Sequence, residues 1–317
     1  MNIPFSRRSV LQTAVAAAAS RVALNSRLSA AAARKMTINL SWGAIGVKAD
    51  QVQAIEYAHR FGFESVDPDP RYLASLSQSE LAKLLADMKA KKLAFGPAGL
   101  TVEFRKDDPT FEAGLKELPA LAQALEKAGV TRVGTWLSPT HDTLTYLQNF
   151  KQHARRLREI AIVLASSGLR LGLEYVGPKT SWTARRYPFI HTMAEARELI
   201  AEIGKPNVGF VLDSWHWYTA GETQAELRSL KNEDIVAVDL NDAPAGIPAD
   251  QQMDLSRELP MATGVIDVAT FLNTLNQLGY DGPVRAEPFN AALRKMPPEE
   301  ALAATIAAMQ KAFALIR

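Results

Sequence analysis

The 317-residue sequence contains no cysteine. That absence excludes a disulfide scaffold, Cys-ligated zinc, an iron–sulfur cluster, a thiol nucleophile and a lipoprotein anchor. No apolar run is long enough to span a bilayer, so no stable membrane anchor is expected. No glycine-rich phosphate loop follows the first strand-like run, which disfavours a doubly wound dinucleotide fold. What is present is ordinary for a globular chain, with 47% hydrophobic and 22% charged residues. A core of this size needs no covalent staples.

The formal charge of +2 is unevenly placed. Residues 1–33 carry Arg7, Arg8, Arg21 and Arg27 and no acid; without them, 32 basic side chains face 34 acidic ones. The body of the chain therefore lacks the basic excess of a nucleic-acid binder. The run Ser6-Arg7-Arg8-Ser9-Val10-Leu11-Gln12 precedes a weakly apolar stretch and small-residue cleavage options at 29–33. Residues 1–35 resemble a twin-arginine export signal. The resemblance implies transit through the twin-arginine machinery and a periplasmic or secreted mature protein, residues 36–317.

From Met36 onward, apolar runs alternate with amphipathic stretches. The runs predict strands over 36–42, 63–67, 93–98, 131–137, 169–176, 208–213, 235–240 and 283–287. Spacings of three and four predict helices over 51–61, 79–91, 111–128, 143–167, 193–203, 225–230, 268–278 and 298–315. Glycines at 62, 129, 168, 204 and 279 stand where helix C-caps are needed. Eight strands alternating with eight helices predict one (β/α)8 barrel domain, with the loops 177–191 and 242–264 as its largest insertions.

A barrel places its chemistry at the C-terminal ends of its strands. There the sequence puts Glu174, Asp213 with His216 three residues later, Asp239 and Asp242, and Glu287. Carboxylates inside apolar strands are costly unless paired or bound to metal. Gathered at one mouth, they would raise each other's pKa values unless a cation neutralised them. A divalent metal is the simplest solution.

These residues carry a further resemblance. Gly172-Leu173-Glu174, Leu212-Asp213-Ser214-Trp215-His216, Val238-Asp239-Leu240-Asn241-Asp242 and Gly279-Tyr280-Asp281-Gly282-Pro283 through Glu287-Pro288 resemble the xylose isomerase-like barrels of the sugar phosphate isomerase/epimerase group. The resemblance implies a divalent metal held by Glu174, Asp213, the slot of Asp239, and Glu287. It implies Glu174 and Glu287 as the acid/base pair, with His216 and Arg257 touching substrate. It further implies proton transfer next to a carbonyl of a sugar or cyclitol, through an enediolate. Where the family carries histidine on the seventh strand, this chain has Asp239. Either Asp239 ligates, giving an all-oxygen site that favours Mn²⁺ or Mg²⁺ over Zn²⁺, or the metal is lost and the chemistry has changed. Ligation is the expectation, because an oxygen donor is retained.

Trp42, Trp215 and His141 are further candidates for the pocket wall, by their positions after strands. Asp242 reads as a turn or supporting residue, and His59 and His153 as surface residues on helices. Three rivals remain beside an isomerase or epimerase. A keto-sugar lyase or dehydratase would use the same residues, and a periplasmic sugar-binding barrel would show no turnover. A DNA endonuclease needs more histidines than the five present. The substrate, the oligomeric state and the product stereochemistry stay open.

Overall fold

Parallel strands in the computed structural model, which describes residues 34–317, follow the predicted alternation with helices. They are β1 Thr37–Leu40, β2 Ser65–Val66, β3 in two pieces (Ala94–Phe95 and Ala98–Gly99), β4 Arg132–Trp136, β5 Arg170–Glu174, β6 Val208–Asp213, β7 Ile235–Leu240 and β8 Pro283–Ala286. The first piece of β3 pairs with β2 and the second with β4, while β1 pairs with β8. The sheet therefore closes into the expected (β/α)8 barrel. The expected export signal lies outside the described residues, except for positions 34 and 35.

Pro97 divides β3, where a missing N–H interrupts the ladder. Gly96 beside it is required by space: a Cβ there would stand 2.1 Å from Oδ1 of Asn39. The space matters because the Asn39 amide donates to Asp67 Oδ1 at 2.6 Å, at the end of β2.

The principal helices are α1 Gln51–Phe61, α2 Gln78–Ala90, α3 Asp108–Lys127, α4 Tyr146–Ala165, α5 Met193–Ile203, α6 Gln224–Arg228, α7 Val268–Gln277 and α8 Pro298–Phe313. Their starts are chemically marked. Asp50, Ser77 and Thr192 close capping boxes with Gln53, Glu80 and Glu195. Apolar faces such as Leu157, Ile160 and Leu164 of α4 bury against the sheet. β6 and β7 are buried along their whole length, as parallel strands covered on both faces must be.

His153 departs from expectation. It lies on the inward face of α4, edge-on to Phe104 at 5.4 Å and against Phe189 at 4.9 Å. Burial lowers its pKa to about 4, so it stays neutral.

The two large loops fold over the C-terminal mouth. The loop after β5 holds the short helix Lys179–Trp182, and Tyr187–Pro188 pairs with Thr140–His141. Thr180 Oγ1 donates to the Gln252 carbonyl at 2.6 Å, joining this loop to the one after β7. Asp242, fully buried, accepts the N–H groups of Ala243, Thr263, Gly264 and Ile266 and so ties down both ends of that second loop. This supporting role is the expected one. Among the described residues, no helix is long and apolar enough to cross a membrane.

Candidate active site

Sheet register builds the site. Glu174 pairs in register with Trp136, and Asp239 with both Asp213 and Arg285. Glu287 follows β8. Glu174, Asp213, Asp239 and Glu287 thus each bring an oxygen within 4.8 Å of the others. Asn241 locks two of them: its amide donates to Asp213 Oδ1 at 2.9 Å, and its Oδ1 accepts the Glu287 N–H at 2.9 Å.

Two arginines enter this acidic cluster. Arg257 comes from the loop after β7. Its Nη1 donates to Asp213 Oδ2 at 2.7 Å and lies 3.3 Å from Glu287 Oε2. Asp254 holds the same guanidinium through its Oδ1 at 2.8 Å and its carbonyl at 2.9 Å. Arg285, on β8, forks onto both oxygens of Asp239 through Nε and Nη2. It also stands 3.6 Å from Asp67 and 3.6 Å from Glu287 Oε1.

Burial dominates the electrostatics. It raises the Glu287 carboxyl to about 8, with Asp239 adding to the shift and the two arginines opposing it. Burial, then repulsion from Glu287, Asp239 and Asp213, holds Glu174 well above the usual carboxylate range. Asp213 rises to about 6, burial outweighing the pull of Arg257. His216 is held far below its ordinary value by burial and by Arg257, hence neutral. Its Nδ1 accepts the Gly177 N–H at 3.2 Å, and its Nε2 lies 3.3 Å from Nη2 of Arg257. The same nitrogen stands 3.9 Å from Glu174 Oε1 and 3.8 Å from Asp213 Oδ2.

A cavity of about 820 Å³ opens above these groups, lined by Glu174, His216, Arg257 and Glu287 together with Trp136, Thr180, Met253, Leu255 and Phe289. Of the predicted site residues, the structure brings these four to one cavity, with Asp213 and Asp239 beneath. Trp215 instead is fully buried in the core under Arg257, whose guanidinium carbon is 5.6 Å from the ring centre. Trp42 is half-buried against the core and is not part of the cavity wall. His141 uses Nδ1 to accept the N–H of Thr143 and of Leu144, so it closes a turn beside the cavity rather than facing it.

A model of the xylose isomerase-like TIM barrel family matches residues 55–312. The chain belongs to that family. It is 24% identical over 259 residues to an inosose isomerase of Bacillus velezensis, an overlap of 79% of this chain and 87% of that protein. A xylose isomerase domain protein from Alicyclobacillus acidocaldarius superposes with a TM-score of 0.76 at 31% identity, covering 88% of this chain and 97% of the other. A structure of the IolI protein with a bound zinc atom superposes at 0.71 and 21% identity, covering 87% and 97%.

Sequence reasoning did not single out Arg285, Asn241 or Asp254. For Arg285 a signal existed: in Pro283-Val284-Arg285-Ala286-Glu287 it alternates with Glu287 and so shares its face of the strand.

The residues fit a divalent cation. Glu174 Oε1 is buried without a hydrogen-bond partner, which a cation or a proton would satisfy. The surrounding donors are carboxylate oxygens, the set that hard divalent ions prefer.

Proposed function

We propose that this barrel isomerises or epimerises a keto-sugar or cyclitol by moving a proton at carbon next to a carbonyl. The observation that carries the reading is the placement of Glu174 and Glu287 on one cavity. Burial raises both carboxyls above the usual glutamate range, Glu287 to about 8, which suits groups that carry and release a proton. One of them removes the proton and the other returns it.

Glu174, Asp213 and Glu287 would hold a divalent cation, with Mn²⁺ or Mg²⁺ better suited than Zn²⁺ to oxygen donors alone. Asp239 enters as the partner of Arg285 rather than as the fourth ligand, because both of its oxygens accept from one guanidinium, whereas Asp213 and Glu287 each accept an arginine hydrogen bond on one oxygen only. A bound cation would polarise the substrate oxygens beside the reacting carbon. Arg257 sets the orientation of Asp213 and Glu287 and lines the cavity, where its positive charge suits a substrate oxygen. His216 lines the same cavity beside it.

The test is deuterium exchange. Keto-sugars and inososes are incubated with the protein and Mn²⁺ in D₂O and followed by NMR. Incorporation beside the carbonyl, with a product of unchanged mass apart from the label, is the expected result. A product lighter by one water would make the protein a dehydratase. No exchange across the panel would remove the proton-transfer reading.

A further inference from the structure

We propose that the cavity takes a glycoside, with the keto-sugar ring on the acidic floor and an apolar aglycone, aryl or alkyl, against the rim. This rests on the sugar reading above and names its substrate class. The floor and rim differ sharply. Glu174, His216 and Arg257 are buried, whereas Trp136, Met253 and Leu255 are 47%, 60% and 72% exposed. All of them line one cavity of about 820 Å³. A single sugar ring fills only a fraction of that volume, which lies toward the upper end for small-molecule sites. Large apolar side chains left facing water and grouped together mark a binding surface.

The rim is built, not incidental. Trp136 is the register partner of Glu174, so the indole begins where the acidic floor ends. Arg105 fixes it, with its guanidinium 4.4 Å from the ring centre and Nη1 donating to the Trp136 carbonyl at 2.6 Å. Met253 and Leu255 flank Asp254, which grips Arg257 through both its carboxylate and its carbonyl. The contacts that orient Arg257 over the floor therefore also hold the two apolar side chains over the cavity. A bare sugar would leave them in water, whereas an aglycone leaving the ring would cover them and gain their hydrophobic contact.

Phenyl and methyl β-D-glucopyranoside, which lack the keto group and so are not turned over, separate the cases by calorimetry on the full-length protein. The phenyl compound should bind at least about tenfold more tightly, about 1.4 kcal/mol. In the double variant Met253→Ser with Leu255→Ser, that preference should collapse, with methyl glucoside affinity changed by less than about twofold, as for surface substitutions. Equal affinities, binding of neither compound, or a preference that survives the double substitution would overturn the aglycone site. So would a dimer that the double variant dissolves without any phenyl preference in the parent, since the rim would then serve a second copy. Deuterium exchange in inososes judges the isomerase reading separately, so either can fail alone.

Discussion

Asp239 and Arg285 stand on one rung of the barrel and form a forked ion pair beneath the acidic site. The pair fills the place where the family resemblance implies a histidine ligand. It supplies a fixed positive charge 3.6 Å from Glu287 and, on the proposed reading, would leave three carboxylates to serve a cation. Asp239→Asn should therefore leave metal stoichiometry, read by elemental analysis after dialysis, equal to that of the parent. Stability should suffer instead, because the largely buried guanidinium loses its closest charged partner, with Asp67 and Glu287 remaining 3.6 Å away. A loss of about 1–3 kcal/mol in urea unfolding is expected, the range for a weakened charge-assisted hydrogen bond. Loss of metal with unchanged stability would make Asp239 a ligand after all.

The barrel was legible because its signals are local. Strand runs, helical spacings and the cap glycines all lie within a few residues of the feature they specify, and the eight strands and eight helices fall where predicted. The carboxylates at the strand ends were legible for the same reason. The Asp239–Arg285 pair was not, since it depends on register between strands 46 residues apart. Trp215 and His153 misled for a related reason. A short helix and an amphipathic one each turn a polar-edged ring inward, and composition does not reveal which face packs.

Protons and a cation should compete for the same oxygens. Asp213 and Glu287 titrate near 6 and 8 in the folded protein, both above their ordinary values. Without metal, the folded state holds these protons longer than the unfolded chain does. The stability they give is full at low pH and is lost as pH rises through those values. Ionised carboxylates bind a cation, so Mn²⁺ should raise the melting temperature more at pH 8 than at pH 5.5. Thermal melts with Mn²⁺ against EDTA decide it; equal increments at the two pH values would count against these carboxylates as the ligands.

A second pH effect should arise away from the site. Glu222 accepts from the Tyr175 hydroxyl and, at 2.6 Å, from the Met193 N–H, yet burial raises its carboxyl to about 7. The sign is again that of a raised carboxyl: stability present below the ordinary glutamate range declines as pH climbs toward 7. Partial exposure limits the effect to about 1–2 kcal/mol. Glu222→Gln should flatten the stability–pH curve between 4.5 and 7, read by urea denaturation at several pH values. An unchanged slope would place the titration elsewhere.

Export is expected to depend on the arginine pair near the N-terminus. Arg7→Lys with Arg8→Lys should retain the precursor in the cytoplasm, because the twin-arginine resemblance rests on that pair. Cell fractionation with an antibody to the barrel reads the outcome. Normal export of the double variant through the same route would end the assignment.

Glu174 and Glu287 should not be equivalent in catalysis. Glu287 lies between Arg257 and Arg285, whose charges favour its ionised form. Glu174 has an oxygen without any hydrogen-bond donor and is surrounded chiefly by other carboxylates. On the proposed mechanism Glu287, which two arginines pull toward ionisation, would take the proton, and Glu174 would give it. Glutamine is nearly isosteric with either and relieves crowded negative charge, so both variants should fold. Turnover on the identified substrate should fall by about 10²–10⁴ in each, the range for loss of a general acid or base. Their exchange behaviour should differ. Glu287→Gln should lose incorporation of deuterium beside the carbonyl together with turnover. Glu174→Gln should retain that exchange while failing to complete the reaction, since abstraction still occurs but the proton is not returned at the second position. The reverse pattern would exchange the two roles, and near-full turnover in both variants would show that neither carboxyl moves the proton.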